Sequence, residues 1–349
     1  MNPATESTAL PNLTADILSD PLMPVDNIFA RLWKTMNIPT LLSRAGFNKR
    51  SGLPAPEVIY ILLTWVWIKT SSIHMFSRKS MQGFADAGKD VMYDYLKREE
   101  VNWRGFHTQA ARKVYIDHNL KECKIKALVV DDSVKIRRGK KIGGVSRHFD
   151  HLTGRTVKGQ QVLTLGLATE TTFFPLDQDI FISKKQVQEA VFKDNRSSAS
   201  IRYKQSKELT KPELLTLSVK RAMRNGFEAD YFLADAWFGN KTTIRLTEDC
   251  DMTALLRMKK DQTKYRFSTL KEGEIHYQMR SATELFQQFV RKQWDKIPGT
   301  SYQSKVIDVE LNIAKNKGDP VGEKCAYYMY GELTMMKRAN LESMTGLYF

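Results

Sequence analysis

The sequence predicts an α/β protein, with a helical N-terminal region followed by a mixed sheet flanked by helices. Three observations carry this. Apolar residues recur at near-helical spacing as far as about residue 120. "KALVVDDSV", "QQVLTLGLAT" and "TTFFPLDQDIFIS" then follow as apolar strand candidates, the last two joined by a link short enough for a hairpin. Finally, "KPELLTLSVKRAMRNGF" and "ADYFLADAWFGN" place an amphipathic helix before a further strand, an α/β order.

Each element has its own grounds. Residues 1–23 hold Pro3, Pro11 and Pro21 and little periodicity, which predicts a flexible tail. Ile28, Leu32, Met36 and Ile38 predict a helix that stops before Pro39. "PAPEVIYILLTWVWIKT" predicts a second, with Pro56 in its first turn. Its apolar run, Val58 to Ile68, falls short of the about 20 residues a bilayer requires, so it reads as a buried helix. "ARKVYIDHN" closes a later helix. Lys49, Arg50, Arg78, Lys79, Arg104, Arg112 and Lys113 punctuate this region, so residues 24–120 are expected to form a helical DNA-binding domain.

Residues 121–240 hold the three strands, then "KDNRSSASIRYKQSKE", expected to be a mobile basic loop, then the helix closed by Gly226 and the strand ending at Asp235. From 241 to 349 the pattern is weaker. "TALLRMKK" suits a strand, and "KYRFS" with "EIHYQMR" suits a hairpin. "SATELFQQFVRKQW" is a helix opened by a capping box, Ser281 with Glu284. "YQSKVIDVELNIAK" suits a further strand, and the stretch after Cys325 has no clear period.

Composition narrows the function. The 349 residues are 42% hydrophobic, enough for a sizeable core without a disulfide staple or structural metal. Cys123, Cys250 and Cys325 are scattered with no C-x-x-C pairing, which argues against a zinc site. A formal net charge of +15 favours a polyanionic partner, nucleic acid before an anionic membrane surface. The polar, acidic N-terminus is no signal peptide, so the expected location is the cytoplasm, with nucleoid association and no membrane partner.

The chemistry gathers at "ALVVDDS". In a strand, Leu128, Val130 and Asp132 share one face and Val129, Asp131 and Ser133 the other. An apolar strand that ends on an acid presents a carboxylate at the sheet rim, and "YFLAD" repeats the pattern at Asp235. Two carboxylates at adjacent strand ends can hold divalent cations through oxygen ligands. Such cations activate the attacking oxygen and stabilise the leaving oxygen of a phosphodiester. The ordinary alternative is that both acids cap turns or helices. Arg137, Arg138, Lys140, Lys141 and Arg147 suit phosphate contacts, or equally a solvated hairpin tip. His148 and His151 suit DNA or metal contact, or loop packing. Trp237 suits base stacking, or core packing.

As a block, "LVVDDSVKIRRGKKIGGVSRHFDHLTGRTVKGQQVLTLGLATETTFFPLDQDIFIS" followed by "YFLADAWFGN" resembles the DDE transposases of bacterial insertion sequences, in the insertion sequence 4 group. The resemblance spans about residues 95–260. Position by position, Asp132 matches the first catalytic and metal-binding acid, since it directly precedes a Ser, and Asp235 matches the second. The resemblance implies an RNase H-like catalytic domain and metal-dependent strand cleavage and transfer at insertion-sequence ends. It implies Mg2+ as cofactor, with Mn2+ able to substitute, and double-stranded DNA as partner, both transposon ends and target, bound by a homodimer on paired ends. It also implies a β-rich insertion after the second Asp, and residues 240–324 fit the start of one.

The third acid of that family lies in a pattern Tyr-x2-Arg-x3-Glu-x6-Lys. Tyr277, Arg280 and Glu284 fit its spacing, with Arg291 in place of the Lys, but Glu284 equally serves the capping box. The other expectation is a chain truncated before its third acid and inactive. A non-catalytic DNA-binding fragment that competes for transposon ends is therefore the alternative function. An acid-pair hydrolase such as a glycosidase would give no reason for the charge excess.

Overall fold

The computed structural model describes residues 23–49, 51–65, 72–79, 81, 85–139, 142–150, 153–258, 261–290, 295–296, 303–304, 307–314, 326–330 and 334–337. The expected tail up to residue 22, with Arg50, Lys140, Lys141, His151 and Arg291, lies outside them. The described residues fall into two compact units, one drawn from 1–118, 139–146 and 183–208, the other from 119–138, 147–182 and 209–349.

The first unit is helical: α1 (Met23–Thr35), α2 (Ile38–Arg44), α3 (Ala55–Trp65), α4 (Ile73–Lys79), α5 (Lys89–Leu96), α6 (Trp103–Asp117) and α7 (Ser198–Glu208). Pro39 does not end a helix. It stands in the first turn of α2, where its missing N–H breaks no intrahelical bond, and the break falls at Asn37, with φ 50°. Asn102 starts α6 by accepting the Gly105 N–H at 2.8 Å. Trp33, Leu42, Phe47, Ile59, Tyr60 and Tyr95 are buried in one core, with Trp33 edge-on to Tyr60 at 5.1 Å.

Two later segments complete this unit. Gln188 exchanges backbone hydrogen bonds with Gly144 and Val145 at 2.9 and 2.8 Å. The Glu99 carboxylate accepts the backbone N–H groups of Lys193 and Asp194, which lowers its pKa. The segment expected as a basic loop folds from Ser198 onward as α7, started by the Ser197 hydroxyl accepting the Ser200 N–H at 3.2 Å. Its buried positions are Ser200 and Ser206, so there was no apolar stripe to reveal it.

The second unit holds β1 (Lys126–Ile136), β2 (Ser146–Asp150), β3 (Arg155–Thr169), β4 (Phe173–Phe181), α8 (Lys211–Arg224), β5 (Tyr231–Ala234), α9 (Lys241–Asp249) and β6 (Thr253–Arg257). After these come β7 (Lys264–Lys271), β8 (Glu274–Ser281), α10 (Ala282–Val290), β9 (Asp295–Lys296), β10 (Gln303–Ser304), β11 (Ile307–Glu310), β12 (Ala326–Tyr330) and β13 (Thr334–Lys337). β1, β3 and β4 form an antiparallel meander, whereas β5 runs parallel to β1, and β6 to β5. The order β4-β3-β1-β5-β6, three antiparallel strands beside two parallel ones with α8 crossing between β4 and β5, is an RNase H-like mixed sheet.

Beyond β6 the sheet continues through β13, β12, β11, β7 and β8. The stretch after Cys325, which shows no period in sequence, contributes the hairpin β12–β13, and β13 pairs antiparallel with β6. β2, read as loop, pairs with β3. α8 packs on β3 and β4, and α9 on β6. Leu128, Leu165, Leu167, Leu214, Val219 and Phe232 are buried, each such side chain contributing about 1.5–3 kcal/mol. Among the described residues, no helix is long and apolar enough to cross a membrane.

Candidate active site

Asp132 does not end its strand. β1 runs four residues further and stays paired with β3 as far as Ile136. What ends is the partner on the other side. β5 pairs with β1 from Ala127–Tyr231 to Val130–Ala234 and then turns away. Asp235 therefore lies one residue, and Asp132 two residues, beyond the last paired positions of two adjacent parallel strands. The sheet rim forms where β5 stops, not where β1 stops.

Alternation sets the burial of the two neighbouring acids. Asp132 continues the face of Leu128 and Val130 and is half-buried, while Asp131 points the other way and is exposed. Both oxygens of Asp132 are engaged. Gln161, diagonal to it across β3, donates from Nε2 to Oδ1 at 2.8 Å. Lys211, the first residue of α8, donates from Nζ to Oδ2 at 2.7 Å. The same ammonium lies 4.2 Å from the centre of the Trp237 ring and 5.5 Å from that of Phe181.

Asp235 is exposed, and its Oδ1 accepts the Trp237 N–H at 3.0 Å, closing a turn that carries the chain toward α9. Asn240, not Asp235, caps α9. The turn is pressed against β6: a Cβ on Gly239 would sit 2.1 Å from the Arg257 carbonyl oxygen, so only glycine fits. Three successive contacts thus join the two acids: Asp132 to Lys211, Lys211 to Trp237, and Trp237 to Asp235.

His148, on β2, extends the network from the other side. It bonds to Gln161 and is buried, and burial holds its imidazole below the ordinary 6.5. Lys211 pushes the same way; the Gln161 bond, Asp132 and a backbone bond from Gly159 oppose it. The unfolded chain therefore takes up a proton that the folded chain refuses. Stability is fully present above 6.5 and declines as pH falls through that value. Denaturant melts at pH values either side of 6.5 are expected to show the decline, and His148→Gln to flatten it.

The face beneath α8 carries two more acids. Across the register, Asp132, Leu163 and Asp179 form one row, and Val130, Leu165 and Asp177 the next. Arg221 donates to Asp177 Oδ2 at 2.7 Å and to Asp179 Oδ2 at 2.6 Å, and Ser218 to Asp179 at 3.2 Å. α8 thus supplies a cation near each of its ends to aspartates on one sheet face.

Other candidates lie apart. Glu284 caps α10 with Ser281 and receives the Lys264 ammonium at 2.8 Å. Lys264 and the Ser281 bonds hold its carboxyl down to about 2. α10 follows β8, six strand steps from β5 and so roughly 29 Å away at about 4.8 Å per step. Arg137 donates to Gln160 at 3.0 Å, and Arg138 and Arg147 are exposed. Trp237 meets Phe238 edge-on at 4.9 Å.

The family of DDE superfamily endonucleases matches residues 70–276, more than half of the chain and a span that contains both Asp132 and Asp235. The chain belongs to that family. DDE superfamily endonucleases generally use divalent metal ions. Of the solved structures, the Drosophila P element transposase in its strand transfer complex is similar over 70% of this chain, at 10% identity and a TM-score of 0.28. The chain spans about half, 53%, of that transposase. No curated protein matches the sequence.

The carboxylates of Asp132 and Asp235 fit a hard divalent cation in donor type. Among the described residues there is no group of three His, Cys, Asp or Glu placed to hold one. Lys211 and Gln161 already hold the oxygens of Asp132.

Proposed function

We propose that this chain is a DNA transposase of the insertion sequence 4 group, catalysing strand cleavage and transfer at insertion-sequence ends. The observation that carries this is that Asp132 and Asp235 lie two residues and one residue beyond the last paired positions of adjacent parallel strands, in a chain of the DDE superfamily endonuclease family. These two acids are the proposed ligands of Mg2+, which Mn2+ can replace; when bound, the metal polarises a phosphodiester and lowers the pKa of water. The residues of the chain set the stage for that chemistry. The Asp235–Trp237 turn fixes one carboxylate at the rim, and Gln161 orients the other. Exposed Arg138 and Arg147, with Arg137, are the proposed phosphate contacts, and Lys140 and Lys141 belong to the same set. The partners are double-stranded transposon ends and target DNA, bound by a homodimer on paired ends, and the location is the nucleoid.

A second reading, a non-catalytic DNA-binding protein that competes for transposon ends, is favoured because, among the described residues, no group of three His, Cys, Asp or Glu is placed to hold a metal. A supercoiled plasmid carrying insertion-sequence ends separates the two. Nicking with Mg2+ or Mn2+ that stops with a chelator is expected. End binding that weakens steeply with salt, without nicking in either metal, would establish the second reading.

A further inference from the structure

Lys211 is an unusual residue to find at the start of a helix. It follows the N-cap Thr210 as the first residue of α8, at the positive end of the helix dipole, where a cation is disfavoured. Its side chain is only 8% exposed. An ammonium so placed needs a strong partner, and Asp132 is that partner, at 2.7 Å. The rings of Trp237 and Phe181 enclose it further. The turn that carries Trp237 is itself held by the second acid, Asp235.

We propose that Lys211 is an internal competitor of the metal: its ammonium occupies the Asp132 carboxylate, and a divalent cation binds there only by displacing it. This rests on the assignment of Asp132 and Asp235 as metal ligands made above, and adds a control to that site. Each oxygen of Asp132 already has one protein donor, and the donor at Oδ2 is an ammonium, so an arriving divalent cation meets a positive charge at the same carboxylate. Gln161 is neutral and gains nothing electrostatically by leaving. Lys211 is a like charge to the metal, and two cations held at Oδ2 a few Å apart repel each other, which favours departure of the ammonium. The displaced ammonium stays near the rim on its four-carbon stem, beside any phosphate brought to the two acids. The aromatic enclosure makes the resting state specific, because departure of Lys211 uncovers Trp237 next to Asp235.

The test is Mn2+ binding by the whole chain, followed by the paramagnetic signal of free Mn2+, in wild type, Lys211→Met, Lys211→Gln, Asp132→Asn and Asp235→Asn. Each variant is first shown to be folded by its thermal transition. Lys211→Met and Lys211→Gln are expected to bind Mn2+ tighter by about tenfold or more, since a like charge a few Å from the site has been removed. Combining either with Asp132→Asn is expected to abolish the gain. Two neutral side chains of different polarity guard against one of them failing to pack. If both bind Mn2+ no tighter than wild type while Asp132→Asn weakens wild-type binding, the competition is overturned and the metal assignment survives. If neither Asp132→Asn nor Asp235→Asn alters Mn2+ binding, the metal assignment falls and the competition with it.

Discussion

If the proposed assignment holds, Asp132→Ala is expected to abolish strand cleavage and, independently, to lower stability, where removing one partner from a fully buried ion pair costs about 3–5 kcal/mol. The loss is expected at or below the lower end of that range, because Lys211 is 8% exposed but Asp132, at 19%, keeps some contact with water. Without the carboxylate, the Lys211 ammonium keeps only the faces of Trp237 and Phe181, and Gln161 loses its acceptor. The loss of cleavage in this variant is therefore ambiguous unless folding is measured beside it. Asp132→Ala/Lys211→Met removes the ambiguity. Both charges leave together, so most of the stability is expected to return, while cleavage stays absent. Asp235→Ala gives the contrasting case. Asp235 is exposed and contributes one turn hydrogen bond, worth about 0.5–1.5 kcal/mol, so it is expected to lose cleavage with little loss of stability. Denaturant melts alongside plasmid nicking check all three. Cleavage by the double variant would remove Asp132 from the site, and a wild-type melt for Asp132→Ala would show that Lys211 does not depend on it.

The position of the two acids at the sheet rim was legible in the sequence because each follows an apolar strand run, while their role as metal ligands stays a proposal. β1 does not stop at Asp132; the rim exists because β5 is only four residues long, which depends on pairing that no single strand encodes. The pairing of Lys211 with Asp132 was not legible, since the two lie 79 residues apart and Lys211 looks like any helix-start lysine. One signal was available. In "PLDQDIF" the acids at i and i+2 fall on one face of a strand, and such a face, once buried, demands cations from the element that covers it. The helix that follows offers Lys211 and Arg221. α7 and the β12–β13 hairpin were missed for a different reason. The buried positions of α7 are serines, and the β12–β13 hairpin is held by long-range pairing, so neither writes an apolar period into the sequence.

Arg221→Ala is expected to lower stability by about 3–5 kcal/mol or more, because it strips the guanidinium from two carboxylates rather than one. Asp177 and Asp179 are 4% and 2% exposed, so water cannot replace it. Their spacing at i and i+2 puts like charges side by side on one face, and Arg221 is what separates them electrostatically. Arg221→Lys is expected to recover only part of the loss. An ammonium is a point charge and cannot present the planar fork that reaches Asp177 through Nε and Asp179 through its terminal nitrogen. Asp177→Asn/Asp179→Asn/Arg221→Met removes the charges together and is expected to melt closer to wild type than Arg221→Ala does. Urea midpoints of the four chains decide this, and a wild-type midpoint for Arg221→Ala would refute the cluster as a stabilising element. The consequence reaches the site through α8. One end of that helix is fixed to β4 by Arg221 and the other to β1 by Lys211, ten residues apart on one helix. Among the described residues, freeing the Arg221 end leaves the Lys211–Asp132 pair as the remaining ion pair from α8 to this sheet face. Any folded population of Arg221→Ala should then bind Mn2+ more weakly than wild type, since displacing Lys211 would also release the helix.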